Sequence, residues 1–366
     1  MKIVHVQLLP LLSGVQRVTL NEVENDIDNE HIIICSSEGP LTQKLKELHI
    51  PYFCVRELCR EISIINDLKA IKKIYQILKV TNADVVHTHS SKTGVIGRIA
   101  AKIAGIKRVI HTVHGFSFPS AKSRRTYLLY YFLEYIVKYF TDALIVLNEQ
   151  DRRIACQKLH YAPKNVYLIP NGVDVSKFTP DELCLKYNDN AKLLKVIMVG
   201  RLWEQKDPST LLKAVIELLE RNVNIELSFV GDGELRSVLM LQAEKYINKI
   251  KFLGWRDDIE NILPEYDVFV LPSLWEGMPL AILEAMSSGL ACVVTNIPGN
   301  NDLIKDKYNG YLFDCGDAKT LSDLLEYYYN NKNVLIEHSN LNRQIVLDKY
   351  TLQKRNSLIK NVYVAN

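Results

Sequence analysis

Val268-Phe269-Val270-Leu271-Pro272-Ser273-Leu274-Trp275-Glu276-Gly277-Met278-Pro279-Leu280-Ala281-Ile282-Leu283-Glu284-Ala285-Met286 holds a complete strand–loop–helix unit. Its unbroken apolar start reads as a strand buried on both faces and stopped by Pro272. A glycine-containing loop follows. Pro279 suits the first turn of a helix, where its missing N–H costs nothing. Glu276 stands just before that helix and Glu284 two turns later. A helix start offers backbone N–H groups to an anion. A carboxylate can accept two hydrogen bonds from vicinal sugar hydroxyls. From spacing alone, a helix-dipole partner at 276 and a solvent-facing acid at 284 explain the pair equally well.

The same rhythm extends in both directions. Short β-rich runs at 2–9, 31–35, 51–55, 84–88, 108–113, 142–147 and 165–169 alternate with helical patterns such as Leu68 to Leu78 and Val95 to Ala104. The rhythm restarts with runs at 194–199, 225–230, 250–253, 267–271, 291–295 and 311–313. Such alternation predicts βαβ units and parallel sheets covered by helices. Polar, irregular Asn171 to Lys192 reads as a linker, and the tail from Lys349 to Val364 as an amphipathic helix. The expected fold is α/β, with two Rossmann-like doubly wound domains in tandem. One spans 1–170, completed by the C-terminal helix at about 349–366 crossing back; the other spans 171–348. Sheets of this kind bind ligands at the carboxyl ends of their strands, at a switch point in strand order. Two facing domains would form a cleft there.

Composition fits two ordinary cores: 366 residues, 48% hydrophobic and 24% charged. Seven scattered cysteines without a CxxC argue against a disulfide scaffold or zinc ribbon and fit idle thiols in a reducing cytosol. His5 and Gln7 interrupt the apolar start, so it reads as a strand rather than an export signal. The most apolar window, Tyr127 to Leu147, carries Glu134, Lys138 and Asp142, too much charge for a spanning helix. Net charge is +3, but residues 1–170 carry +8 and the remainder −5. Residues 85–133 contain no acid, yet hold Lys92, Arg98, Lys102, Lys107, Arg108, Lys122, Arg124 and Arg125. That block favours an anionic partner: a membrane surface, a diphosphate or a nucleic acid.

Further residues suit phosphate chemistry. Arg201 follows the strand ending at Val199, with Gly200 allowing close approach; Lys206 lies five residues on. Fixed cations there would stabilise the charge growing on a departing diphosphate. Leu12-Ser13-Gly14-Val15-Gln16-Arg17 opens a helix after the first strand, and its glycine lets backbone approach a phosphate. It lacks the GxGxxG spacing of dinucleotide-binding enzymes. His114, before Gly115, ends a strand and could accept a hydroxyl proton. His87, His89 and His111 cluster near strand ends, without the carboxylate or cysteine spacing that would support a metal.

Together these motifs resemble the family 4 retaining glycosyltransferases of GT-B fold, the bacterial surface-polysaccharide type. Glu276-(seven residues)-Glu284 within Leu-Pro-Ser-x-x-Glu-Gly-x-Pro looks like their signature. Gly200-Arg201-Leu202 with Gln205-Lys206, Gly231-Asp232-Gly233-Glu234-Leu235, Phe252-Leu253-Gly254, Ile169-Pro170-Asn171-Gly172-Val173-Asp174 and His111-Thr112-Val113-His114-Gly115 resemble other family motifs in the right order. The chain departs from the pattern at Ser13, where a second glycine is usual, and at Asn300 and Asp302.

The resemblance implies a retaining enzyme that moves a hexose or N-acetylhexosamine from a nucleotide sugar, with UDP preferred over GDP. His114, Arg201, Lys206 and Glu276 would be catalytic. Donor contacts would come from Gly14, Arg201, Lys206, Gly231, Gly254, Arg256, Glu276, Gly277, Met278, Pro279, Leu280 and Glu284. Arg201 and Lys206 would hold the diphosphate, Glu276 the transferred sugar and Glu284 the ribose. No metal and no cofactor is expected.

The acceptor implied is a lipid-diphosphate-linked saccharide of O-antigen or capsule synthesis. The chain would then be cytoplasmic, peripheral on the cytoplasmic face of the inner membrane, with no nucleic-acid partner. Lys122, Arg124 and Arg125 precede the aromatic run to Phe140, which suits an anionic membrane surface. A helix packing its aromatic stripe on the sheet is the plain alternative. A UDP-sugar 2-epimerase of the same fold, or a non-catalytic sugar-nucleotide-binding subunit, are the rival readings.

Overall fold

A computed structural model describes residues 1–59, 61–121, 123–180 and 193–365. The chain forms two compact units: Met1–Asn171 with Gln353–Asn366, and Gly172–Leu352. The first runs β1 (Lys2–Val6), α1 (Gly14–Asn25), β2 (Glu30–Cys35), α2 (Pro40–Glu47), β3 (Tyr52–Cys54), α3 (Ile64–Thr81), β4 (Val85–His89), α4 (Ser91–Ala104), β5 (Arg108–Val113), α5 (Arg124–Val137), β6 (Ala143–Val146), α6 (Glu149–Arg153) and β7 (Val166–Leu168). The second runs β8 (Leu194–Val199), α7 (Pro208–Glu220), β9 (Ile225–Val230), α8 (Arg236–Gln242), β10 (Ile250–Gly254), α9 (Ile259–Ile262), β11 (Val268–Leu271), α10 (Leu280–Ser287), β12 (Ala291–Thr295), α11 (Asn300–Leu303), β13 (Tyr311–Phe313), α12 (Ala318–Asn330) and α13 (Lys332–Lys349). Helix α14 (Leu352–Val364) ends the described chain.

Among the described residues the sheets have seven and six strands, in the orders β3-β2-β1-β4-β5-β6-β7 and β10-β9-β8-β11-β12-β13. Every strand pair is parallel. Ala143–Val146 and Val268–Leu271 are buried at every position, as strands covered on both faces require. Strand order reverses at β1/β4 in one unit and at β8/β11 in the other. The two doubly wound sheets expected from the rhythm are therefore present. Each predicted strand is found within a few residues of its place; β1 ends at Val6, although Gln7 N–H still donates to Ile34 O at 2.8 Å and Leu8 O accepts from Ser36 N–H at 3.1 Å.

Three features differ from the sequence reading. Residues 172–180 are packed rather than linker-like. Phe178 is buried, and Arg343 donates to the carbonyls of Phe178 at 2.7 Å and Val175 at 3.0 Å. Residues 181–192, the rest of that stretch, lie outside the described residues. The basic block is partly consumed internally, at three of its eight cations. Arg98 is fully buried and donates to Glu134 at 2.9 Å, Gly94 O at 2.7 Å and Thr141 Oγ1 at 3.1 Å. Lys92 pairs with Asp67 at 2.8 Å, and Arg108 donates to Val362 O at 2.8 Å. Lys102, Lys107, Arg124 and Arg125 are exposed, and Lys122 lies outside the described residues. Helix α5, finally, divides its apolar residues. Tyr127, Tyr130, Tyr131 and Tyr135 pack against the cluster around Phe118 and Leu144, whereas Leu128, Leu129, Phe132 and Ile136 are exposed. No helix among the described residues is long and apolar enough to cross a membrane.

Helix α14 carries Ile359, Val362 and Tyr363 into a core shared with Ile3, Val85, Ile110 and Ile145. Its apolar positions fall three to four residues apart, as one buried helix face demands.

Candidate functional site

In the second unit, the loops after the adjacent strands β8 and β11 meet at the carboxyl edge of the sheet. A short 3-10 turn, Glu204–Lys206, ends the first loop. Gln205 ties the loops together: its Nε2 donates to Trp275 O at 2.9 Å, and its carbonyl accepts from Leu274 N–H at 2.8 Å. Lys206 Nζ consequently lies 2.5 Å from Glu276 Oε1, with the two side chains only 18% and 8% exposed. Arg201 is half-buried, its guanidinium 4.6 Å from the centre of the Trp203 ring. Gly200 N–H donates to Val230 O at 2.9 Å and Gly231 N–H to Gly254 O at 2.8 Å, so three strand ends are stitched side by side. At Gly231 (φ +135°) a Cβ would stand 2.0 Å from Gly200 O, so no other residue fits.

The signature helix differs from expectation in two details. Pro279 is its N-cap rather than its first residue, and α10 starts at Leu280. Glu284 is 7% exposed, so the solvent-facing alternative fails. Met278 and Pro279 are buried beside Gly277. A Cβ at Gly299 (φ +85°) would stand 2.3 Å from Gly277 O, which presses the 296–302 loop onto this segment. Asn300 and Asp302, the departures from the family pattern, hold that loop. Asn300 Nδ2 donates to Thr295 Oγ1 at 3.0 Å, and Asp302 accepts from Gly299 N–H at 3.0 Å. Arg256 is exposed and paired with Asp258 through Nε at 2.7 Å, rather than with either site carboxylate.

In the first unit, Gly14 begins α1 at the β1 edge, exposed, and a Cβ there would meet nothing within 4 Å. His114 follows β5. Its half-buried imidazole is pushed down to about 3, first by desolvation and then by the Arg355 charge, so it is a neutral acceptor at pH 7. His5, His87 and His89 are wholly buried on one face of the sheet, where His5 and His87 are direct partners across β1 and β4. Burial holds all three well below the usual imidazole value. His111 pairs with Thr88 on the opposite face and bonds Thr88 Oγ1 at 2.9 Å, so it is separate from this group.

Sequence spacing missed a carboxylate here. Glu22 of α1, with His5, His87 and His89, brings ligand-type atoms within 4.8 Å of one another. The ring nitrogens in this group already hold protein partners: His87 has Tyr363 OH at 2.9 Å and Thr112 Oγ1 at 2.7 Å. Glu22 Oε1 accepts from Arg355 at 2.7 Å. Glu22 and Arg355 lie 333 residues apart, beyond any local motif.

These neutral imidazoles make the fold acid-sensitive. Unfolded histidine binds a proton near pH 6.5, whereas folded His114 does so only near pH 3. Stability is thus full above about pH 6.5 and falls as pH drops towards 3. His114 alone removes about 1 kcal/mol between pH 6.5 and 5.5, and His5, His87 and His89 act in the same direction. Urea midpoints of the full chain should fall steadily below pH 6.5; a flat profile to pH 5 would contradict the burial described.

The Glycosyltransferase Family 4 model matches residues 12–177, and the Glycosyl transferases group 1 model matches residues 185–345. The chain is 44% identical, over 99% of its length and 96% of the relative's, to an Escherichia coli UDP-Gal:alpha-D-GlcNAc-diphosphoundecaprenol alpha-1,3-galactosyltransferase. It is 26% identical, over 91% of its length and 93% of the relative's, to a Campylobacter jejuni N,N'-diacetylbacillosaminyl-diphospho-undecaprenol alpha-1,3-N-acetylgalactosaminyltransferase. Its fold matches Anabaena HepE, solved with UDP-glucose, at a TM-score of 0.84 and 19% identity, covering 100% of both chains.

Proposed function

The chain belongs to the family 4 glycosyltransferases, and from that premise we propose that it moves a hexose, galactose first among candidates, from its UDP-sugar to a lipid-diphosphate-linked saccharide with retention of configuration. The observation that carries the reading is the 44% identity with a galactosyltransferase along 99% of the chain. The Lys206–Glu276 pair between β8 and β11 supplies the chemistry. Arg201 and Lys206 hold the diphosphate and stabilise its leaving oxygen. The diphosphate draws the Lys206 ammonium, and Glu276 turns to the sugar hydroxyls. Glu284 receives the ribose. The edge formed by Gly231, Gly254 and the Gly277-Met278-Pro279-Leu280 segment shapes the donor pocket, with Arg256 at its rim. Gly14 and His114 serve from the first unit, where the acceptor binds.

The test is a donor panel with undecaprenyl-diphosphate-linked N-acetylglucosamine as acceptor, with and without EDTA. Transfer from UDP-galactose into the lipid fraction in EDTA is expected. Epimerisation of UDP-N-acetylglucosamine without acceptor, or nucleotide binding without turnover, would overturn it.

The outward face of α5 supports a place of work peripheral on the cytoplasmic face of the inner membrane. Leu128, Leu129, Phe132 and Ile136 are 38–58% exposed beside exposed Arg124 and Arg125, an apolar face with cations that suits anionic lipid. Leu129→Glu/Phe132→Glu should lower binding to phosphatidylglycerol vesicles at least about tenfold, while transfer to a detergent-dispersed short-chain acceptor stays within about twofold. Equal vesicle binding would remove this assignment.

A further inference from the structure

Five side chains of the first unit form one hydrogen-bonded line. Asp26 Oδ2 lies 3.2 Å from His31 Nε2, and His31 Nδ1 lies 3.0 Å from His5 Nε2. His5 Nδ1 lies 3.2 Å from His89 Nε2, and His89 Nδ1 lies 3.4 Å from His114 Nε2. Strand register builds the line. His31 pairs with Ile3 across β2 and β1, and His5 with His87 across β1 and β4. Period-two alternation therefore puts His31, His5 and His89 on one face. The rings of His5 and His31 stack with centroids 5.2 Å apart, and those of His5 and His89 5.5 Å apart.

A neutral imidazole has one N–H and one bare nitrogen, and an ionised carboxylate only accepts. Asp26 therefore requires the hydrogen on His31 Nε2. His31 Nδ1 is then bare and takes the hydrogen of His5 Nε2; His5 Nδ1 takes that of His89 Nε2; His89 Nδ1 takes that of His114 Nε2. We propose that Asp26, acting through His31, His5 and His89, fixes the tautomer of His114 and presents its bare Nδ1 to a substrate hydroxyl. These four are positioning residues, and their use in catalysis rests on the reading of His114 as a site residue.

The ends of the line are held. Burial would raise the Asp26 carboxyl, but hydrogen bonds from Asn29 at 2.8 Å and from Lys360, 3.2 Å from Oδ1, keep it below its ordinary value and ionised. Arg355, Glu22 and Tyr363 face the middle of the line, and none of them bonds a nitrogen that belongs to it. A metal at His5, Glu22, His87 and His89 would compete for nitrogens that the line already uses.

The test is nitrogen-15 NMR of the histidine rings in the full chain at pH 7.5, with His114 assigned through His114→Gln. The expected spectrum has His114 protonated at Nε2 and bare at Nδ1. In Asp26→Asn the end group can donate as well as accept, and in His5→Phe the line is cut without change of charge. Both should mix the His114 tautomers and lower kcat about tenfold, with donor KM unchanged. A His114 protonated at Nδ1 in the parent, an unchanged His114 spectrum in both variants, or one equivalent of tightly bound metal in the purified protein would overturn the proposal. Full activity in His114→Gln with the tautomer shifts still present would instead overturn the functional reading and leave the line standing.

Discussion

Replacing Lys206 by alanine is expected to lower kcat for sugar transfer about 10²–10³-fold, the usual loss for one preorganised donor to a developing anion. The loop that carries Lys206 is fixed before the donor arrives: Gln205 ties it to the backbone at 274–275, and the Lys206 ammonium waits 2.5 Å from Glu276. Little reorganisation is then needed when the diphosphate leaves. The substitution also strands Glu276, 8% exposed and without its cation, beside an anionic substrate. Lys206→Arg should recover little, since a planar fork does not replace a compact point charge. Glu276→Gln tests the other partner. Because the two side chains act as a unit, Lys206→Ala/Glu276→Gln should lose far less than the product of the single losses. Single-turnover assays with UDP-galactose separate transfer from donor binding. A Lys206→Ala enzyme within about fivefold of the parent would remove Lys206 from the site.

Arg355→Met should destabilise the chain by about 3–5 kcal/mol, the cost of leaving one partner of a buried ion pair alone. Arg355 and Glu22 are each 3% exposed and 2.7 Å apart, and Arg355 also donates to Ile169 O at 3.2 Å and Pro170 O at 2.8 Å. Burial already raises the Glu22 carboxyl, with Arg355 opposing it. Without Arg355 the carboxyl rises further and takes up a proton on folding. A raised acid stabilises below its unfolded value and loses that contribution as pH rises, so the defect should be larger at pH 8 than at pH 5. Arg355→Met/Glu22→Leu should recover most of the loss. The same substitution removes one of the two causes that hold His114 down, so His114 should titrate at higher pH. Urea denaturation of the full chain at both pH values checks the stability; a loss below about 1 kcal/mol would show the pair to be hydrated.

Much of the molecule could be read before the structure. Parallel strands buried on both faces announce themselves as apolar runs, as at Val268–Leu271. What sequence lacked was register and distance along the chain. His5, His31, His87 and His89 are visible as alternate residues of three strands, but only the strand order β2-β1-β4 brings them together. The carboxylates that join them, Asp26 and Glu22, come from the α1 segment and carry no motif. Arg98 counts with the block that favours an anionic partner because Glu134, its own partner, lies one residue beyond the acid-free stretch. Tertiary pairing, not local propensity, decided those fates. Glu276 and Lys206 were legible together because both motifs follow neighbouring central strands, where such folds bring loops into contact.

The last helix has a consequence for how the chain is made. Unit one needs Ile359, Val362 and Tyr363 for its core and Arg355 for Glu22. A ribosome adding ~5–20 residues/s takes about 10–40 s to pass from Asn171 to Gln353. Throughout that interval the patch of the N-terminal sheet around Ile3, Val85, Ile110 and Ile145 lacks its covering helix, while the polypeptide of the other unit emerges in full. The usual vectorial order is thereby inverted: the half synthesised first is completed last. A nascent chain halted before residue 353 should recruit chaperones that the released protein does not need, and trimming the C-terminus should harm the half of the molecule born earliest.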